Sequence, residues 1–380
     1  MRRVLIIILA ILFLFPVRAA GKSELMKSEP EKLSAASAVL IEPVSGRILY
    51  AHNSRERRAI ASTTKIMTAL VAAEMCDPGE VLSIQSDCVK IDGASLYLEE
   101  DEQLSMIDML YGLLLRSGND AAAAIGKYVA GDIAHFVSMM NQKAWALGME
   151  DTNFTNPHGL DADEHYSTAY DMAVLGAAFM RTPLLRRICT AEEYVSRELT
   201  TGRVRLFINN NKLLARDPRA IGIKIGWTEQ AGRCLVASGR VGEMELIAVV
   251  LNAPDLYTDA SKLFDYGFSQ LTMQKLICRG QALAVVPIVK GKASRVALVA
   301  AESICYPVFS GETISYSVQM IIPDHIQAPV KSGQPLGQAL VLVDGECQLR
   351  VGLVAASSVE SKGGVWSRML HWVKGRRKGD

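Results

Sequence analysis

Ser62 and Lys65 stand three residues apart in "ASTTKIMTAL", residues 61–70. On a helix that spacing puts both side chains on one face, one turn apart. A serine hydroxyl is a weak nucleophile until a base within reach takes its proton. Lysine can be that base only when neutral. Bringing a lysine from about 10.4 to half-neutral at pH 7 costs about 4.6 kcal/mol. Burial, a second cation nearby and a helix N-terminus all push in that direction. The plainer readings are Ser62 as a helix N-cap, shared with Thr63 or Thr64, and Lys65 as a solvated surface cation.

By itself S-x-x-K is a weak signal, because both residues are common. It occurs once in this chain, and two further groups follow it. "LLLRSGNDAAAA" holds Ser117-Gly118-Asn119, and "IGIKIGWTEQAGRC" holds Lys224-Ile225-Gly226 just ahead of a strand-like run, with Trp227 and Thr228 next. His158 in "NPHGL" and His165 in "EHYST" read as structural. No phosphate-binding loop, dinucleotide-type glycine run, HExxH or CxxC is present, so no cofactor or metal is implied. With a formal charge of +1 on 380 residues, the chain has no footprint for nucleic acid.

The elements that must position these groups can be read coarsely. "AVLIEPVSGRILYAHN" gives two β-type runs around Pro43 and Ser45-Gly46, a hairpin. From Ala61 the pattern turns helical through Ile66, Met67, Leu70 and Val71. One helical tract spans "SMIDMLYGLLLRSGNDAAAAIGKYVAG", and another follows in "IAHFVSMMNQKAWALGM". "RCLVASGRVGEMELIAVVLNA" reads as paired strands turning at Gly239 to Gly242. Strand, many helices, then strands is an α+β pattern with a sheet built from distant segments. Beyond about Met273 helical periodicity is gone and short β-rich runs follow. Val341 to Gln348 around Asp344-Gly345 carries the strongest hairpin signal in the chain.

Together, S-x-x-K, S-x-N and K-x-G in that chain order resemble the penicillin-binding protein and β-lactamase superfamily. "ASTTKIMTALVA", "MLYGLLLRSGNDAA" and "TNFTNPHGLDADEHYSTAYDMA" resemble the low-molecular-mass serine D-alanyl-D-alanine carboxypeptidases, over roughly Ala35 to Leu271. That resemblance implies a transpeptidase-like fold, an antiparallel sheet with flanking helices, followed by a small all-β domain. It implies Ser62 as acyl-accepting nucleophile, Lys65 as its base and Ser117 as proton relay to the leaving D-alanine. Asn119 would hold the substrate amide and Lys224 the terminal carboxylate, beside Gly226. The backbone N–H groups of Ser62 and Trp227 would form the oxyanion hole. The implied partners are peptidoglycan stem peptides ending in D-Ala-D-Ala, and β-lactams.

One position departs from the family pattern. Threonine is usual between the lysine and glycine of the third motif, and here it is Ile225. A lost hydrogen bond to a charged group is worth about 1.5–3 kcal/mol. Thr228 is the nearest replacement hydroxyl, although strand alternation would have to break for it to point inward. Two alternatives stay open: a penicillin- or peptidoglycan-binding protein with little turnover, and a β-lactamase. The E-x-x-L-N context of the β-lactamase deacylating glutamate is absent around Glu164.

The chain ends bear on location. Arg2 and Arg3, the apolar run Val4 to Phe15 and the small residues of "PVRAA" make residues 1–20 a signal peptide. The domain reading is then 35–272 catalytic and 273–356 β-rich. In 362–380, Trp366, Met369, Leu370 and Val373 repeat at helical spacing among basic residues, an amphipathic helix suited to a membrane surface. The expected place is the outer face of the cytoplasmic membrane or the cell wall. The seven cysteines are scattered, unlike a disulfide framework, and most read as core residues.

Overall fold

A computed structural model of the chain describes residues 30–362, so the signal-peptide segment 1–20 and all but the first residue of the amphipathic segment 362–380 lie outside the described residues. The described chain forms two compact units that divide between Leu271 and Thr272.

The first unit begins with the hairpin read around Ser45-Gly46. Strands β1 (Ser37–Ile41) and β2 (Ile48–His52) run antiparallel. The turn closes on the Glu42 carboxylate, which accepts from the Val44 and Ser45 backbone and from Ser45 Oγ. A 3-10 turn (Ala61–Thr64) then runs straight into α1 (Lys65–Met75). Lys65 through Ala72 are all buried, so α1 is a core helix with no solvent face over two turns. After the small pair β3 (Val81–Ser83) and β4 (Gln103–Ser105) comes the tract read as one helix. It is not one helix. It forms α2 (Met106–Tyr111), a π turn over Gly112–Arg116, a left-handed Ser117 with φ +66°, and α3 (Asn119–Ala130). The ladder is cut because the Asn119 N–H donates to Ala94 O at 2.7 Å.

Helices α4 (Ile133–Ala146), α5 (Ala169–Met180) and α6 (Pro183–Thr190) follow. The first two start at side-chain caps, where Asp132 accepts from His135 N and Thr168 from Asp171 N. The hairpin β5 (Glu193–Arg197) and β6 (Val204–Ile208) leads, through a short α7 (Leu213–Arg216), to β7 (Ala220–Thr228), β8 (Gly232–Val241) and β9 (Met244–Leu251). The turn between β8 and β9 sits at Gly242-Glu243. Gly239 belongs to β8 instead, pressed against a ring of α8 (Leu256–Gln270).

The five long strands form one antiparallel sheet in the order β2-β1-β9-β8-β7. Both faces are covered, which is why its central strands read as continuous apolar runs. A β-carbon added at Gly239 would lie 2.8 Å from the Phe264 ring of α8, and one at Gly176 of α5 would lie 3.0 Å from Val236. The main core fills the α5 face, joining Val39, Val236, Ile247 and Val249 to α1, α2 and α5. β7 is one of the two edge strands, and it lies beside the 3-10 turn.

The second unit is all β, from β10 (Leu271–Ile277) to β17 (Glu346–Ala355). Its largest sheet has six strands. The Asp344-Gly345 hairpin pairs β16 (Pro335–Val343) with β17, Val343 opposite Glu346. Both turn residues have positive φ, +52° and +89°, as a two-residue hairpin of this kind needs. A separate aliphatic core includes Leu298, Val341 and Leu353.

Cys76, Cys88, Cys189, Cys234, Cys278 and Cys347 are free. Cys88, Cys189 and Cys234 are buried, but Cys278 and Cys347 are exposed, so fewer are core residues than their apolar surroundings suggested. No helix of the described residues is long and apolar enough to cross a membrane.

Candidate active site

The N-cap expectation for Ser62 fails. α1 is capped at Thr64 with no side-chain cap, and the neighbouring hydroxyls bond backwards instead. Thr63 Oγ1 donates to Ile60 O at 2.6 Å and Thr64 Oγ1 to Ala61 O at 2.8 Å. Ser62 is thereby left half-buried on the tight turn, its Oγ 2.9 Å from Lys65 Nζ.

Lys65 is not a surface cation: its exposure is 0%. Its nitrogen also contacts Asn119 Oδ1 (2.6 Å) and the His158 carbonyl oxygen (2.6 Å). Burial first, and repulsion from Lys224 second, hold its pKa well below the usual lysine range. The contacts constrain what the neutral form of this amine can do. A neutral amine has two hydrogens and one lone pair. The His158 carbonyl can only accept. Asn119 presents its oxygen, because its Nδ2 donates to the Asp92 carbonyl. In the neutral form both amine hydrogens go to these two acceptors, which leaves the lone pair facing the Ser62 hydroxyl.

Lys224 lies in β7, 1% exposed. Burial brings it to about 7, and its Nζ donates to Ile225 O at 3.1 Å. Gly226 explains the close approach of strand and turn. A β-carbon there would sit 2.8 Å from Ser62 N and 3.0 Å from Thr63 N. Trp227 is 63% exposed. Alternation puts Lys224 and Gly226 on one side of β7. Ile225 pairs with Leu235 across β8 and is half-buried on the other side.

Thr228, considered as a substitute for the missing hydroxyl, is already committed. Its Oγ1 donates to Asp161 Oδ1 at 2.7 Å and accepts from Ala231 N at 3.0 Å.

Ser117 is 8% exposed at the left-handed junction between the π turn and α3. The loop ahead of it is pinned by Asp120, whose carboxylate accepts from Leu96 N, Leu98 N and Ser95 Oγ. Leu96 packs directly on the turn: a β-carbon at Gly118 would meet its Cγ at 2.6 Å. The structure thus brings Ser62, Lys65 and Asn119 into hydrogen-bonding contact, with Lys224 and Gly226 against the same turn. Asn119 keeps one Nδ2 hydrogen for a ligand, its other groups being occupied. His158 and His165 are both held neutral near 4, chiefly by burial. Sequence reasoning missed the backbone acceptors at His158 and Asp92, which carry no side-chain signal, and the acid Asp161 that occupies Thr228. It also missed Asp120, whose only trace is its place beside Asn119.

A half-buried serine on a tight turn with a fully buried lysine 2.9 Å from its hydroxyl is an arrangement that can carry acyl transfer. The chain matches the D-alanyl-D-alanine carboxypeptidase family over residues 24–255 and the C-terminal domain of penicillin-binding protein 5 over residues 271–361. It is 35% identical to D-alanyl-D-alanine carboxypeptidase DacF of Bacillus subtilis over 361 residues, 93% of this chain and 92% of that protein. It is 31% identical to DacC of Escherichia coli, over 96% of this chain and 93% of that one. Among solved structures, penicillin-binding protein 5 of Haemophilus influenzae superposes with a TM-score of 0.66 at 28% identity, covering 88% of this chain and 99% of its own. PBP3 of Streptococcus pneumoniae does so at 0.72 and 25% identity, over 87% and 100%. The chain belongs to the D-alanyl-D-alanine carboxypeptidase family.

Proposed function

We propose that this protein is a serine D,D-carboxypeptidase that removes the terminal D-alanine from peptidoglycan stem peptides, through an acyl-enzyme on Ser62. The observation that carries the reading is the arrangement around Lys65, a fully buried amine with a lowered pKa whose Nζ lies 2.9 Å from Ser62 Oγ and 2.6 Å from both Asn119 Oδ1 and the His158 carbonyl oxygen, so that its neutral form can spend two hydrogens on the last two and turn its lone pair to Ser62. Lys65 takes the Ser62 proton as Oγ attacks the D-Ala–D-Ala carbonyl. The developing oxyanion is held by the Ser62 and Trp227 N–H groups. Ser117 passes a proton to the departing amine of D-alanine, the C–N bond breaks, and water then hydrolyses the ester. Asn119 holds the substrate amide with its spare Nδ2 hydrogen, and Lys224 meets the terminal carboxylate, which restores its charge on binding. β-Lactams would acylate the same serine.

The one departure, Ile225, supports a second reading, a penicillin-binding relative with slow turnover. Two measurements separate these: mass spectrometry of Ser62 after penicillin, and D-alanine release from diacetyl-Lys-D-Ala-D-Ala. Adduct with release is the expected result. Adduct without release would favour the second reading, and no adduct at Ser62 would end both. On the sequence of the two termini we further place the enzyme outside the cytoplasmic membrane, cleaved after its signal and held at the membrane surface by 362–380. Truncation before Lys362 should move the protein out of the membrane fraction, and an unchanged fraction would refute that anchor.

A further inference from the structure

The residue before the nucleophile is strained. Ala61 has φ +48°, a left-handed conformation that an L-residue with a β-carbon adopts at a cost. It is 1% exposed and directly precedes Ser62, so its conformation sets the direction of both the Ser62 side chain and the Ser62 N–H. Something must hold it there.

A buried chain of three hydrogen bonds does so. The backbone N–H of Thr155 reaches His165 Nδ1 at 3.0 Å. A backbone N–H can only donate, so Nδ1 carries the lone pair and the ring proton is on Nε2. Nε2 lies 2.9 Å from Thr64 Oγ1 and therefore donates to it. The Thr64 hydroxyl, having accepted, sends its own hydrogen to the Ala61 carbonyl at 2.8 Å. The Thr155 hydroxyl also lies 3.2 Å from Nδ1, where it can donate as the backbone N–H does, so direction runs from Thr155 to Ala61. Thr64 is 0% and His165 6% exposed, so water does not substitute for a missing member. The loop carrying His158 closes on the same atom: a β-carbon at Gly159 would lie 2.0 Å from Ala61 O.

We infer that His165, acting through Thr64, is a positioning residue for the acylation step, fixing Ala61 in its left-handed conformation so that Ser62 Oγ and N–H meet the scissile carbonyl together. The two residues touch neither substrate nor Ser62 Oγ, and act only through the turn. This role rests on the carboxypeptidase reading above, and goes beyond it by extending the machinery to the loop around residue 165.

The experiment is the rate of Ser62 acylation by a fluorescent penicillin, together with D-alanine release, in the full chain and four variants. Thr64→Val keeps the shape and removes the hydroxyl, and Thr64→Ser keeps the hydroxyl. His165→Asn keeps an acceptor for Thr155 N–H and removes the donor to Thr64. The fourth joins Thr64→Val to His165→Asn. Displacement of a reacting group by a fraction of its bond reach predicts a fall of about tenfold to a hundredfold in the saturating acylation rate for Thr64→Val and for His165→Asn. Thr64→Ser should stay within about threefold of the unaltered protein, because one hydroxyl serves the chain as well as the other. The double variant should be no slower than the slower single, since one chain is broken once or twice to the same effect. Equal rates in Thr64→Val and the unaltered protein, a Thr64→Ser variant as slow as Thr64→Val, or losses that multiply in the double variant would each overturn the proposal. If the unaltered protein is not labelled at Ser62, the carboxypeptidase reading fails instead, and the two failures are distinct.

Discussion

The two units handle polarity in opposite ways. The first buries Lys65 and Lys224 together with acids such as Asp120, Asp171 and Asp259, while the second buries no charged side chain among the described residues. In the second unit an aliphatic core under alternating strands does the work, as in any small β domain. In the first, two lysines sit in the core at a standing cost, because burial disfavours the protonated form each would have in water. Nothing about holding a sheet together needs them. The unit that gives up stability in this way is the unit with a reaction to run.

Four substitutions would break or sharpen that contrast. The largest effect belongs to Lys65→Met, which deletes the base proposed above and should lower acylation of Ser62 by about 10²–10⁴-fold. Its thermal midpoint should hold steady or rise, because an apolar side chain of similar volume suits that site better than an amine. A variant that melts earlier and still acylates would show the lysine to be structural.

Lys224→Met comes next. Lys224 is near 7 in the folded chain against the usual 10.5, so the unfolded chain binds more protons between those values. Stability therefore rises with pH across that window, and falls again as pH drops toward 7. The variant should lose that slope in denaturant titrations. In activity the sign reverses. Free enzyme loses the Lys224 charge as pH climbs past about 7, so kcat/KM for a carboxylate-terminated peptide falls there, and in Lys224→Met that limb is absent.

In the second unit, Leu298→Ala should cost about 2–5 kcal/mol of that unit's stability through the cavity it leaves. The acylation rate of the folded protein should be unchanged, and a slowed rate would show that the two units share more than a chain. Smallest is Ile225→Thr. Ile225 lies on the Leu235 side of β7, away from Lys224, so a hydroxyl there should raise kcat/KM by less than about tenfold. A larger gain would mean that this side chain reaches the substrate.

How much of this was legible in the sequence differs by unit for the same reason. Alternation and Asp344-Gly345 announced the β hairpin of the second unit, because local propensity and tertiary packing agree there. In the first unit three short motifs picked out residues that the fold brings together around Lys65, yet the elements around them were misread where local preference is overridden. Residues 105–131 have unbroken helical periodicity, but Asn119 N–H is claimed by Ala94 O and the helix breaks at Ser117. Ser62 looks like a cap, but Thr63 and Thr64 spend their hydroxyls on the residues behind them. Contacts made by main-chain carbonyls, such as His158 O on Lys65, leave no mark in residue type. They could only be found by folding the chain. The same holds for Thr228, whose hydroxyl looked available until Asp161 was seen to hold it.

The free cysteines have a practical consequence. The three cysteines buried in the first unit are thiols, so the fold of that unit does not wait on an oxidant, and the chain lacking its first residues should fold it in a reducing cytosol. The two exposed thiols, Cys278 and Cys347, both belong to the second unit, while Cys88, Cys189 and Cys234 are shielded in the first. A maleimide added to the native protein should therefore label the β domain first, giving two spectroscopic handles on the second unit while Ser62 stays free to report on its own.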